Sequence, residues 1–595
     1  MPTGGASRCP FLKARAGLER AADSLEAAAG STLHQQIDEL GLEFRREGRG
    51  LDFWRKKWKE ASSERAIREV AEQDEVQVRL GKGKWLPVSS MEQLQLLVGQ
   101  ARTGLLQKSG ESIARQAAGT ASGLPGLEYA LKEDPAKSPS LLSFAGGMLR
   151  HYDNPLGFLQ EFHAKHGRSF QVSTPTHGRF LFDTHTDTLI EALSQTDGKE
   201  EHWKKSELQT HGAAFLIGEK NMFASGGGDW SAIHDAISPL LSSRKVRSPE
   251  MMGKLTQIFD GHIERLKARV QASPTGELEI DARGEMQRAV LDVALKVFMS
   301  TEVPPEELVE IQNAFNTQMS WLPEETINPT EHSLANLPGM GELRGAYKLL
   351  DGLAQRILEE RRQMLEKPGD MLEAIMEAED PETGMPLSDR RLKHEILSLL
   401  EAGHETTATM LGWGVLMMSR NPAEFRALQR EVDEKLGDAS PSVEQMKALE
   451  KPELLVKETL RMYPPFYLFM REATTDTTLG DLEVKKGTTL VSSLYNTHRD
   501  EGLWGVERTG FPANEFHSER FEVRPPEKFV PFGAGKRSCA GRVLGMLEGQ
   551  LMLTRMAQTF EIMPDHSPIE SRSDLSIHPK EGKVTLRLRD LQESP

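Results

Sequence analysis

Two cysteines, Cys9 and Cys539, are all that the 595 residues contain. With one of them on a metal, no pair is left for a disulfide, and an iron–sulfur cluster held by four cysteines is excluded within this chain; such scarcity fits a reducing compartment. Positive charge is short as well. The formal net charge is −16, which argues against nucleic acid as a general partner while leaving local basic patches open. No window approaches the roughly 18 consecutive apolar residues of a membrane span, and the N-terminus lacks the apolar centre of a secretory signal. A soluble, cytoplasmic protein without a transmembrane span is therefore expected. Acids are absent before Glu19 while Arg8, Lys13 and Arg15 are present, so an organelle reached through a short leader is the alternative.

What is present centres on Phe529–Gly549, FVPFGAGKRSCAGRVLGMLEG. A glycine-rich loop leads through Cys539 into a helical pattern in which Leu544, Leu547, Leu551 and Met552 make an apolar stripe and Gly541, Gly545 and Gly549 recur every fourth residue. Gly533, Gly535 and Gly541 offer unusual backbone angles or close approach to a flat ligand. A cysteine before a helix N-terminus faces free N–H groups and partial positive charge, which favour the thiolate that a metal needs. A lone cysteine is more often a buried structural thiol, but that role asks for neither this run of glycines nor Arg537 and Phe532 nearby. The pattern Phe-x-x-Gly-x-Arg-x-Cys-x-Gly, Phe532 to Gly541, closely resembles the haem-binding loop of the cytochrome P450 family. The resemblance implies haem b with Cys539 as axial ligand of its iron, and Phe532, Arg537 and Gly541 around it.

Further motifs occur in the family's order. Trp230 and His234 lie one helical turn apart on one face; the resemblance implies that they bind a haem propionate, often with arginine where this chain has His234. Leu392–Met418 is the longest apolar helical pattern, with Ala402-Gly403-His404-Glu405-Thr406-Thr407 at its centre. Glycine and threonine there weaken a helix, so it is expected to open locally. The stretch resembles the family's oxygen-activating motif, which implies that the alcohol of Thr406 holds a water or donates a hydrogen bond and that Glu405 relays protons. A structural ion pair for Glu405 and a helix kink for Thr406 are the rival readings. Glu458 and Arg461 share a helix face, and the resemblance implies that with Arg520 they form a buried ionic network behind the haem. Arg471 matches the position that reaches the second propionate. Phe466, Leu468 and Phe469 line the pocket or belong to the core.

The fold class expected is mainly α with small β-sheets, a cytochrome P450 fold at residues 124–595 preceded by an N-terminal helical extension, residues 1–123, whose function is not readable. Helices are expected from Leu18 to about Phe44 and from Leu51 to Val70, then a hairpin through Val76–Leu80 and Trp85–Val88, then a helix capped by Ser90. The basic aromatic run Phe53–Lys59 fits either a solvated helix face or peripheral membrane contact. In the main domain, a helix starts at Asn154-Pro155, strands lie near Phe170–Val172 and Arg179–Phe182, and strands are sparse before Leu479.

The activity implied by the resemblance is monooxygenation. One atom of O2 enters a hydrophobic organic substrate such as a lipid or terpenoid, with NAD(P)H-derived electrons delivered by an external reductase, flavodoxin or ferredoxin, since no flavin module is recognisable after Cys539. Lys536 and Arg542 are the expected docking charges. A peroxide-using or rearranging haem-thiolate enzyme is one alternative; the Glu405-Thr406 pair argues against it. A haem sensor or adaptor is another.

Overall fold

Start signals in the sequence are answered at the residues that carry them. Asn154 accepts the amide of Gly157, Pro155 takes the first turn, and α1 (Pro155–His166) buries Leu156, Leu159 and Phe162. The computed structural model describes residues 154–590 except 175–177, 197–201, 219, 328–339, 524–527 and 575, together with positions 139, 143, 144 and 151 and three strands nearer the N-terminus. The chain divides into two units, one of residues 1–132, 140–150 and 331–341, the other of 133–139, 151–330 and 342–595.

In the first unit, β1 (Leu42–Arg46), β2 (Val76–Leu80) and β3 (Leu86–Val88) form an antiparallel sheet in that order. The β2–β3 hairpin matches the expected one. The helix expected to run to about Phe44 is corrected: Leu42–Arg46 is a strand in register with β2, Leu42 opposite Leu80 and Phe44 opposite Val78. Alternating apolar residues there suit a period of two as well as a helix, and the partner strand decides. The other helices expected before residue 123, and the Phe53–Lys59 run, lie outside the described residues.

The second unit is a helical body with small sheets. A five-stranded sheet has the order β4 (Ser169–Thr174), β5 (Gly178–Asp183), β11 (Thr489–Ser493), β8 (Leu468–Ala473) and β6 (Trp203–Lys205). Its pairs are antiparallel apart from β5 with β11. A three-stranded sheet joins β12 (Phe560–Ile562), β15 (Lys583–Leu588) and β7 (Glu277–Asp281), while β9 (Thr477–Leu479) with β10 (Leu482–Val484) and β13 (Ser571–Ser573) with β14 (Ile577–Pro579) are two-stranded ribbons. β6, β7 and β8 precede Leu479; the proline-rich run after Tyr463 becomes β8.

The helices that build the site are α2 (Thr186–Ser194), α3 (Glu207–Ile217), α4 (Gly227–Ile237), α5 (Ala282–Val293), α6 (Asp389–Arg420), α7 (Lys451–Met462) and α8 (Arg542–Thr559). α6 is 32 residues long, capped by Ser388, and buried on nearly every side. α5 lies along it, and a π turn at Ala294–Phe298 continues α5. One apolar core runs through α5 to α8. Among the described residues no helix is long and apolar enough to cross a membrane.

Candidate functional site

Backbone geometry sets the cysteine. Gly533 and Gly535 take φ of 72° and 69°, angles that a side chain resists. A Cβ on Gly535 would also lie 2.5 Å from the Leu193 carbonyl oxygen at the end of α2. The loop is pulled shut by the Cys539 amide, which donates to the Phe532 carbonyl at 2.9 Å. Gly541 has an ordinary φ of −79° and is the N-cap of α8, so its use is space: a Cβ there would stand 3.8 Å from the Cys539 sulfur.

The amides of Gly541 and Arg542 donate to that sulfur, and the Arg542 charge assists them. Desolvation is nonetheless the largest influence and raises the thiol above its usual range. The helix end acts in the expected sense, its amides favouring the anion, while the surrounding protein opposes it more strongly. Cys539 is at the same time an exposed residue. A residue that is exposed while its thiol is desolvated has open space beside it within surrounding protein. That geometry, with amides aimed at the sulfur and glycines allowing close approach, fits a haem whose iron takes Cys539 and supplies the missing positive charge.

α6 packs against α8, the helix into which the cysteine loop opens. Ala402, Gly403 and Thr406 are partly accessible within an otherwise buried stretch, an accessible stripe on one side of the helix. The helix does not open there as expected; it is continuous from Asp389 to Arg420. Gly403 is explained by packing, since a Cβ would lie 2.4 Å from the Phe298 ring. Thr406 turns its hydroxyl back onto the Ala402 carbonyl at 3.0 Å, a local bond that leaves the helix intact. α6 meets the first turns of α8 just beyond, where a Cβ on Gly545 would be 3.4 Å from Thr407 Oγ1 and one on Gly549 2.6 Å from the Met410 methyl. The glycines of α8 thus let the two helices approach closely.

Glu405 points away from the stripe into a dense set of donors. Arg283 Nη2 lies at 2.7 Å, Gln287 Nε2 at 2.8 Å, Ser576 Oγ at 2.7 Å and Thr409 Oγ1 at 3.1 Å. Burial works against the charge, but Arg283, His404 and the hydrogen bonds win and hold the carboxyl down to about 2. It is an anion at any ordinary pH, in the arrangement of a structural ion pair. Glu548 on α8 is its opposite. Buried, with only the Thr407 side chain to bond, its carboxyl is pushed up to about 8.

On the other side of the ligand loop, the Arg537 guanidinium lies 4.0 Å over the Trp230 ring and donates to the Ser225 carbonyl at 3.3 Å. Trp230 stacks on His234 at 4.3 Å. The two ring nitrogens of His234 lie against Asp235 Oδ1 at 3.1 Å and Ser238 Oγ at 3.2 Å, so the imidazole supports the indole instead of presenting a donor of its own. Arg471 on β8 is buried, with Nε toward Thr196 at 3.2 Å and Nη1 toward Gln209 on α3 at 3.0 Å. Phe469 packs over Gly533 of the loop and edge-to-face on Phe466, while Leu468 joins a cluster with Leu156, Tyr467 and Ile577.

The three ionic residues do come together. Arg461 reaches Glu458 through Nε at 2.7 Å and Nη2 at 2.9 Å, and Arg520 Nε lies 3.4 Å from the same carboxylate. All are fully buried. Sequence reasoning missed Arg283, Gln287 and Ser576, which sit more than a hundred residues from Glu405 and carry no local signal. Glu548 had one: an acid interrupting the apolar stripe of α8.

The cytochrome P450 family model matches residues 136–586. The chain is similar to a cyclooctatin synthase of Streptomyces melanosporofaciens, 32% identical over 293 residues that make up 49% of this chain and 63% of that protein. A bifunctional cytochrome P450/NADPH–P450 reductase 2 of Bacillus subtilis (strain 168) is 31% identical over 372 residues, 61% of this chain and 34% of that one. A cytokinin hydroxylase of Arabidopsis thaliana is 26% identical over 436 residues, 70% and 80% of the two. The match thus spans less than two thirds of the first relative and about a third of the bifunctional one.

Proposed function

The chain belongs to the cytochrome P450 family, and from that premise we propose that it is a haem-thiolate monooxygenase placing one atom of dioxygen in a hydrophobic organic substrate. The observation that carries the reading is Cys539, an exposed residue whose sulfur is desolvated and bonded by the amides that open α8. Haem held there supplies the iron at which dioxygen is reduced and cleaved. Residues 124–595 form the domain that holds it and residues 1–123 an extension; the match beginning at 136 supports this division.

The chain's own residues divide the remaining work. Arg537, stacked on Trp230, and Arg471 hold the propionate side, with His234 behind the indole. Phe532 and Gly541 shape the loop. Thr406 presents its hydroxyl to the accessible stripe of α6 and positions water there. Glu405 keeps a fixed negative charge that anchors α5 and the β13–β14 turn to that helix. Phe466 and Phe469 offer apolar surface to the substrate. Glu458, Arg461 and Arg520 keep the scaffold.

Electrons come from a separate NAD(P)H-dependent reductase, flavodoxin or ferredoxin in the cytoplasm. Lys536 and Arg542 flank the cysteine and are exposed, as are Arg244, Lys245 and Arg247 on the turn before the long helix Pro249–Ala272. The short helix Ser243–Val246 touches α8, which gathers these charges near the ligand loop.

The test has two arms. Reduced, haem-loaded protein treated with carbon monoxide should give the red-shifted band of thiolate ligation and lose it in Cys539→Ala; a band that survives the substitution ends the reading. Reversing Lys536, Arg244 and Lys245 to glutamate should weaken turnover driven by an added acidic reductase at least several-fold, while leaving that spectrum unchanged. Unaltered turnover would move the electron source elsewhere, a fused reductase included.

A further inference from the structure

Glu401 stands one turn before Glu405 on α6, and among the described residues no group hydrogen-bonds its carboxyl. Both oxygens are buried without a hydrogen-bond partner, as are the Ser398 hydroxyl one turn earlier and Arg283 Nε. Glu401 is 4% exposed and Ser398 0%. Glu405 supplies nothing, because its oxygens already accept from Arg283, Gln287, Ser576 and Thr409. The charged groups facing Glu401 are Glu405 on its own helix, Arg283 on α5 and Asp574 in the β13–β14 turn.

An ionised carboxylate left unsolvated and unpaired costs far more than a neutral acid, so the carboxyl keeps its proton. Burial and the neighbouring Glu405 charge act in that direction and outweigh Arg283. A neutral acid still needs a donor and an acceptor, and so does a serine hydroxyl. Side chains three apart on a helix are neighbours. Unsatisfied buried polar atoms grouped in this way are where internal water resides.

We propose that Glu401 is a proton-holding residue of this enzyme, joined with Ser398 to internal water behind the accessible stripe of α6. Its use rests on the monooxygenase reading, in which the second oxygen atom leaves as water and consumes two protons along with two electrons from the redox partner. The O–H bond of Glu401 breaks, its proton passes to the hydrogen-bonded water, and the carboxylate left behind is reprotonated through water on the side of Asp574, in the ribbon whose Ser571 and Arg572 are exposed to solvent. Glu405, held to about 2, stays charged throughout and keeps its neighbour protonated.

High-resolution diffraction and infrared spectroscopy of the haem-loaded protein test this directly. An ordered water within hydrogen-bond distance of Glu401 and Ser398 is expected, with a protonated-carboxyl band at pH 7 that shifts in heavy water. Glu401→Gln should remove that band while those of Glu395 and Glu548 remain, and Glu405→Gln should lower the pH at which it titrates. Glu401→Gln should also send a several-fold larger share of reducing equivalents to hydrogen peroxide and enlarge the solvent isotope effect. No ordered water at Glu401 and Ser398, or a carboxyl spectrum unaltered by Glu401→Gln, overturns the hydrated acid; unchanged coupling and isotope effect overturn its role. Should Glu401→Gln not fold, the water and the pH titration of the native band decide. The carbon monoxide spectrum reports Cys539 independently, so failure here is distinguishable from failure of the haem-thiolate reading.

Discussion

At Glu458 a single buried carboxylate answers for two buried guanidiniums, Arg461 and Arg520, and also accepts the His517 amide at 2.9 Å. Further guanidinium donors go to carbonyls, among them those of His498 and Ala513 for Arg461 and that of Pro512 for Arg520, and to the Thr509 hydroxyl. Such a set is stable only while complete, because removing one charge leaves the others desolvated and unpaired. Glu458→Gln is expected to cost about 3–5 kcal/mol of unfolding free energy, read as a shift of the urea midpoint. The neighbouring Lys457 makes a partly exposed pair with Glu453 at 2.6 Å, and Lys457→Gln should cost under about 1 kcal/mol. Equal losses in the two variants would mean that the buried network contributes no more than a surface pair.

Between elements, close approach is what the glycines serve. Gly403 on α6 faces Phe298 in the π turn after α5, with no room for a methyl group. Gly403→Ala should cost about 1–3 kcal/mol through overpacking, and Phe298→Leu in the same chain should return part of it; a double-mutant cycle that finds the two additive removes the contact as the reason for the glycine. The same contact marks the edge of what the sequence makes legible. Arg520, 62 positions from Glu458, came only through the family resemblance, whereas Cys539, its loop glycines, the position of α6 and the Glu458–Arg461 pair were readable because each lies in a dense local pattern. The purpose of Gly403 was not, since the ring that explains it comes from another helix 105 positions earlier, and helix propensity alone points to an opening that does not occur. The burial that opposes the Cys539 anion was out of reach for a related reason. A helix N-terminus is visible in sequence, whereas desolvation is a sum over the whole packed surroundings. Leu42–Arg46 shows the limit for strands, where the pairing partner more than thirty residues on overrides the local reading.

For the molecule as a whole, buried ionisable groups set how stability changes with pH. Burial lowers His163, His166, His262, His394 and His404, and brings His498 to about 3. Their unfolded forms bind protons below the ordinary value of 6.5 while the folded forms do not, so stability falls as pH drops from there. Glu405, held to about 2, adds a loss between 4.5 and that value. Three acids act in the opposite sense. Glu395 is pushed up to about 7, Glu548 to about 8 and Glu401 well above its ordinary range. Between the unfolded value of 4.5 and the raised one, the folded chain holds a proton that the unfolded chain has released, so stability falls as pH rises, by about 1.4 kcal/mol per unit for each group fully in that window. Above 6.5 the histidine contribution has levelled off and only the acids still act. The urea midpoint of the haem-loaded protein should therefore peak near pH 6.5 and decline toward pH 8. Glu548→Gln should flatten the decline above pH 6.5 and steepen the rise between 4.5 and 6.5, leaving the limb below 4.5 where it was. A midpoint that holds steady or climbs from 6.5 to 8 would mean that these carboxyls are ionised in the folded protein, and the protonated Glu401 would fall with them.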